Sequence, residues 1–254
     1  MNFEDFPEPI KKDIEDQSLS ILEQIKDDII VVGGWAVRAL TRDKHGRYTL
    51  DIDGVTDARK MSGIELKLSA IGMSIRKNEW GIQFYHKYDP HVQIPEEIIE
   101  TIGQVELRIE ISGPRIKESR THHYFQFSLT EFEEREISYH MKEEKVNVKV
   151  PSAEHMAAVK LGLPVDYKNN FDSQALLKIC NVDNVIEIIK ANDDWGEMVI
   201  RRIPKLIGRL RQKDRLEHIL AVNNDINIKE HINMMKYIES KLKAKENKKL
   251  SNYR

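Results

Sequence analysis

The spacing of apolar residues changes along the chain. From Ile10 to Ile25, the positions Ile10, Ile14, Leu19, Ile21, Leu22 and Ile25 recur at helical spacing and predict an amphipathic helix. A β-branched run, Ile29 to Val32, predicts a buried strand. Gly33 and Gly34 follow it, and Trp35, Val37 and Leu40 return to helical spacing, so the glycines open a helix. The polar turn Asp43 to Gly46 leads into a second predicted strand, Tyr48 to Val55. A helix capped by Thr56 or Asp57 is expected to reach Ile71, with Met61, Ile64, Leu66 and Leu68 on or near its buried side and Gly72 as its stop. Strands are expected over Met73–Arg76 and Trp80–Tyr88, and a helical turn from Pro95.

Val105 to Ile111 alternates most regularly, with Val105, Leu107, Ile109 and Ile111 on one face and Glu106, Arg108 and Glu110 on the other, as in a half-buried strand. Tyr124–Leu129 and Lys145–Val150 also read as strands, and the glutamate-rich stretch between them is ambiguous. After Pro151 the alternation disappears. Helices are expected over Ser152–Leu163, Ser173–Cys180, Asn184–Lys190, Trp195–Lys213, Arg215–Val222 and Lys229–Lys243, followed by a frayed tail. The predicted class is α+β: a mixed sheet with helices over residues 1–150, then a helical domain over 151–254.

Composition narrows the possibilities only a little. The 254 residues are 40% hydrophobic and 32% charged, in the range of a globular protein rather than a disordered chain. A net charge of −2 gives no global field toward nucleic acid or membrane. The single cysteine, Cys180, excludes a disulfide framework within the chain, and its apolar flank suggests a buried thiol. No apolar run is long enough to span a bilayer and the first residues are acidic, so a cytoplasmic protein is expected.

The chemistry concentrates between Ile29 and Asp53. A strand–Gly-Gly–helix junction leaves backbone N–H groups unpaired at a helix start, where they attract phosphate, and glycine permits close approach. Asp51 and Asp53, two apart on a strand, point to one face roughly 7 Å apart. They can share a hard divalent cation, Mg²⁺ or Mn²⁺, with substrate phosphates completing its shell. An anion cradle beside a two-carboxylate metal site suits phosphoryl or nucleotidyl transfer.

Gly33-Gly34, a helix, then Arg47-x-Thr49-x-Asp51-x-Asp53 resemble the signature of the DNA-polymerase-β-like nucleotidyltransferase superfamily, in the form closest to its AbiEii-type branch. The resemblance covers roughly residues 29–172. It implies that Gly33, Gly34, Arg47 and Thr49 bind a nucleoside triphosphate, and that Asp51 and Asp53 bind metal with a third acid from a neighbouring strand. Glu106 and Glu110 both fit that third place. Glu110 is preferred, because the Gly113-Pro114 stop puts it near the strand mouth. Further on, Pro151-Ser152, Lys160 and Lys168-Asn169-Asn170-Phe171-Asp172 follow the branch pattern with Asn169 where Asp is usual. Lys160 is then a candidate contact for substrate phosphates and Asp172 a helix cap.

The implied activity is metal-dependent transfer of a nucleoside monophosphate to a hydroxyl on RNA, a protein or a small molecule. The rival reading is a non-catalytic nucleotide-binding or scaffold module that keeps the fold. The branch includes toxins of toxin–antitoxin pairs, so an antitoxin protein is an implied partner. RNA is suggested separately by Arg201, Lys205, Arg209 and Lys213, which recur every fourth residue along one predicted helix that Pro204 interrupts. His122-His123 lacks zinc spacing, and Trp35, Trp80 and Trp195 read as core residues.

Overall fold

The computed structural model describes residues 5–42, 47–79, 81–117, 124–192, 195–211 and 227–251. The expected turn at Asp43–Gly46, Trp80, the His122-His123 pair, Lys213 and the helix expected over Arg215–Val222 lie outside these residues.

Helix α1 (Glu8–Ile25) buries Ile10, Ile14, Leu19, Leu22 and Ile25, the stripe its spacing predicts. It also buries Asp13 and Glu15, which that spacing does not signal. Strand β1 (Ile30–Val32) enters helix α2 (Gly33–Leu40), and β2 (Asp51–Val55) runs antiparallel to β1. A 3₁₀ turn capped by the Asp57 side chain leads into α3 (Met61–Ala70). This helix buries Ile64 and Leu68, whereas Leu66 is 74% exposed. Leu66 therefore does not belong to the buried side: it lies two residues from both Ile64 and Leu68, which turns it away from the face they share. Strands β3 (Ser74–Asn78) and β4 (Gly81–Lys87), helix α4 (Ile99–Ile102) and strand β5 (Glu106–Ser112) follow.

The sheet order is β1-β2-β5-β4-β3, with β2 and β5 parallel and the other neighbours antiparallel. One sheet face carries Ile52, Leu107, Ile109, Ile111, Ile82 and Phe84, all buried. Pairing places Asp51 and Asp53 with Arg108, Glu110, Gln83 and Tyr85 on the other face.

Four strands depart most from expectation. β2 starts at Asp51 rather than Tyr48, because the Thr49 N–H donates to the Glu15 carboxylate instead of a ladder partner. The ambiguous glutamate-rich stretch forms β8 (Glu133–Ser138), which pairs with β9 (Lys145–Val150). Strand β6 (Arg115–Lys117) lies just beyond the Gly-Pro stop and joins β7 (Tyr124–Gln126), which is shorter than expected.

The chain divides into two compact units. The first comprises Met1–Asp43, Arg47–Ile116 and Gln126–Pro151; the second contains Lys117–Phe125 and Ser152–Arg254. In the second, α5 (Ala153–Gly162) starts at Ser152, whose hydroxyl accepts the His155 N–H. Helix α6 (Tyr167–Leu177) starts earlier than expected, because Asp166 caps it through the Asn169 N–H. Asp172 is therefore mid-helix and not a cap. Helices α7 (Val182–Ala191), α8 (Trp195–Leu210) and α9 (Ile228–Ser251) complete the unit. The last runs on through the expected tail. Trp195 meets Phe125 edge-on at 4.9 Å and donates its indole N–H to the Tyr124 carbonyl.

A buried polar cluster ties the first unit together. Glu15, 2% exposed, pairs with Arg38 of α2 at 2.5 Å, and Arg38 is 5% exposed. His140 Nε2 lies 2.6 Å from the same Glu15 oxygen and 3.2 Å from Arg38 Nη2. The other oxygen takes the Thr49 N–H. Arg38 also donates to the Ser138 carbonyl at the end of β8. Removing one partner strands a buried charge. Arg38→Met is expected to lower stability by about 3–5 kcal/mol, measured by urea unfolding, and Glu15→Gln combined with it is expected to recover part of the loss. A loss below about 1 kcal/mol would remove the cluster from the stability account.

Candidate active site

Gly33 adopts a φ of +66°, the left-handed region that glycine tolerates. A Cβ at Gly33 would overlap the Asp53 carboxylate. A Cβ at Gly34 would overlap the Thr49 hydroxyl and come within 2.8 Å of an Arg47 guanidinium nitrogen. The two glycines are therefore the surface on which Asp53, Thr49 and Arg47 rest. The side chain of Val32, which precedes α2, offers no hydrogen-bond acceptor to the first N–H groups of that helix.

Asp51 and Asp53 share one face of β2. Parallel pairing sets Asp53 level with Glu110 and Asp51 level with Arg108. Glu110 is half-buried and its Oε1 accepts from Gln83 Nε2 at 2.9 Å. Burial, and then the Asp51 charge, raise the Glu110 carboxyl above the usual glutamate value. Glu106 sits nearer the start of β5, opposite Lys87, and pairs with Arg108 at 3.1 Å. Seven of the expected residues, Gly33, Gly34, Arg47, Thr49, Asp51, Asp53 and Glu110, thus belong to one unit and cluster around the β1–α2 turn and the adjoining strands. Lys160 belongs to the other unit. There it is 7% exposed and paired at 2.7 Å with Asp172, which is fully buried.

Among the described residues, no three His, Cys, Asp or Glu side chains are gathered closely enough to hold a metal by themselves. The donor set still suits a hard cation. Two carboxylates on one strand face, with Glu110 feeling the Asp51 charge, leave repulsion that a divalent ion relieves. Mg²⁺ commonly takes one or two carboxylates and fills its shell from substrate phosphates and water.

Glu15 and Gln83 were not expected at the site. Glu15 lies among the apolar positions of α1, where a carboxylate needs buried partners, and that is the signal in the sequence. Gln83 lies between Ile82 and Phe84 on a strand, and only pairing reveals that it faces Glu110.

Because the folded-state Glu110 pKa is raised, ionising it costs stability, and that cost is absent below the unfolded pKa. Glu110→Gln keeps an acceptor for Gln83 and removes the charge. We expect a higher melting temperature than wild type at pH 7 and a difference that shrinks toward zero as pH falls below 4.5. The opposite trend would contradict the placement of Glu110. Gly33→Ala adds both a left-handed strain and an overlap with Asp53, so a loss exceeding about 1 kcal/mol is expected in urea unfolding.

No protein-family model matches the chain, and no curated protein matches it. Solved structures with similarity include the lincomycin-bound lincosamide antibiotic adenylyltransferase LnuA. It is 21% identical, with 65% of this chain and 97% of that one covered and a TM-score of 0.41. The antibiotic-resistance factor ANT(2'')-Ia is 13% identical over 70% of this chain and 89% of that one, TM-score 0.45. A candidate nucleotidyltransferase from H. pylori is 14% identical over 94% and 98%, TM-score 0.49. At these scores the likeness carries no inference about chemistry, which rests on the site's own residues.

Proposed function

We propose that this chain is a metal-dependent nucleotidyltransferase that moves a nucleoside monophosphate from a triphosphate to an acceptor hydroxyl. One observation carries the reading: the Asp53 carboxylate lies on the Gly33 turn and level with Glu110 across the parallel pair. A phosphate cradle, a metal pair and a third acid are thereby adjacent on one sheet.

In this reading the N–H groups at the start of α2 and the Arg47 guanidinium bind the triphosphate, and Thr49 holds the turn from below. Asp51 and Asp53 would hold Mg²⁺ or Mn²⁺ together with the substrate phosphates, with Glu110 as the third acid drawn in when the ion binds, and the ion would supply charge neutralisation at the phosphates. The acceptor oxygen bonds to the α-phosphorus, the bond to pyrophosphate breaks, and the hydroxyl proton passes to a carboxylate. Glu110 is placed to take it, level with Asp53 across the parallel pair and hydrogen-bonded to Gln83. The arginine-led motif supports a reading within the AbiEii-type branch, for which an antitoxin protein would be the partner. RNA is the acceptor we favour.

The test is incubation with each α-labelled triphosphate, Mg²⁺ or Mn²⁺, and cell extract, followed by identification of the labelled product. Asp51→Asn and Asp53→Asn are each expected to reduce labelling more than about 100-fold, beyond what loss of an outer-shell partner does, with circular dichroism unchanged. Wild-type labelling by both variants would sink the proposal.

A further inference from the structure

The polar face of the sheet extends past the carboxylates. Gln83 stands level with Glu110, Tyr85 with Arg108, and Lys87 with Glu106. On β3, Arg76 stands level with Gln83 and Ser74 with Tyr85. The Arg76 guanidinium lies over the Tyr85 ring, 5.6 Å from its centroid. Arg76, Lys87 and Arg108 are exposed, and Tyr85 and Gln83 are partly so. Among the described residues, this half of the face has Arg76, Lys87 and Arg108 against one carboxylate, Glu106, itself paired with Arg108.

In-line displacement requires the acceptor and the leaving pyrophosphate on opposite sides of the α-phosphorus. This step rests on the proposed nucleotidyl transfer. The glycine turn fixes the leaving group at the β1–α2 edge, Asp51 and Asp53 follow on β2, and Glu110 on β5. The acceptor then lies over β4 and β3, about two strand spacings, or roughly 10 Å, beyond Glu110 at most. Its nearest groups are Gln83, Tyr85 and Arg76.

We infer that the β4–β3 face binds the terminal nucleotide of a single-stranded RNA, whose hydroxyl is the acceptor. An aromatic ring and a stacked guanidinium on an open sheet face are a platform for an unpaired base, and single-stranded RNA ends are read that way. The surrounding cations match its phosphates, and Gln83 can donate to Glu110 while the acceptor hydroxyl reaches the same carboxylate. A polycationic acceptor would meet repulsion at Arg76, Lys87 and Arg108.

The experiment uses the full chain with a labelled 12-nucleotide single-stranded RNA, the DNA of the same sequence, and a polyamine sugar as competitor. Binding is read by anisotropy across a salt series, and binding of each of the four Mg²⁺–nucleoside triphosphates separately by thermal shift. For Tyr85→Leu the RNA Kd is expected to weaken about five- to 100-fold. Arg76→Gln and Lys87→Gln should each flatten the log–log salt slope by about 0.7. Mg²⁺–ATP binding is expected to stay at the wild-type level in all three and to fall in Asp53→Asn. RNA binding unchanged in all three, with ATP bound normally, would overturn the platform alone. Failure of the wild type to bind any of the four Mg²⁺–nucleoside triphosphates would overturn the transferase reading beneath it. Equal affinity for DNA would overturn the assignment to RNA, and tighter binding of the polyamine sugar would overturn an anionic acceptor.

Discussion

A buried carboxylate cannot stay charged without partners, and Glu15 is the charge around which the first unit is assembled. Its two oxygens take Arg38 from α2, His140 from the segment after β8, and the Thr49 N–H from the approach to β2. Each partner comes from a different part of the chain, so the cluster forms only when α1, α2 and both segments are in place. The Thr49 bond has a direct local effect. It draws the chain out of the ladder just before Asp51 and leaves the Thr49 hydroxyl and Arg47 against Gly34. The Gly33–Gly34 turn proposed to cradle phosphate is therefore shaped from beneath by a carboxylate that lies outside it.

The other acids of α1 work in the same way. Asp13 accepts the Tyr88 hydroxyl and the His91 N–H, and Asp16 accepts the N–H groups of His140 and Met141. These are charge-assisted bonds to loop backbone, stronger than neutral ones. A helix that reads as an ordinary amphipathic element thus sets the course of two loops.

The sheet separates stability from chemistry by its pleat. Ile52, Ile109, Ile111, Ile82 and Phe84 are buried on one face, and the alternation leaves polar side chains on the other without cost to the core. Across that polar face the character grades from carboxylates on β2 and β5 to cations and a phenol on β4 and β3. In the second unit, Lys160 and Asp172 satisfy each other inside the helical core. There too a buried charge is kept beside an opposite one at 2.7 Å.

Much of the first unit was legible in the sequence because its signals are local. Periods of 3.6 and 2 residues depend on neighbours a few positions apart, and they located α1, β1, α2 and β5 closely. The Gly33-Gly34 turn and the Asp51–Asp53 spacing were equally readable, since φ > 0 and a shared strand face are properties of short segments. What needed the tertiary structure was pairing and burial. Glu106 and Glu110 have the same apolar flanks, and only the parallel register with β2 sets Glu110, not Glu106, level with Asp53. The shortened start of β2 depends on Glu15, 34 residues away in sequence from Thr49. β8 was hidden because its glutamates and Arg135 alternate with few apolar residues, and it is defined by pairing with β9. Asp172 read as a cap and proved to be an ion-pair partner, because whether a carboxylate meets a backbone N–H or a lysine is decided by which helices pack together.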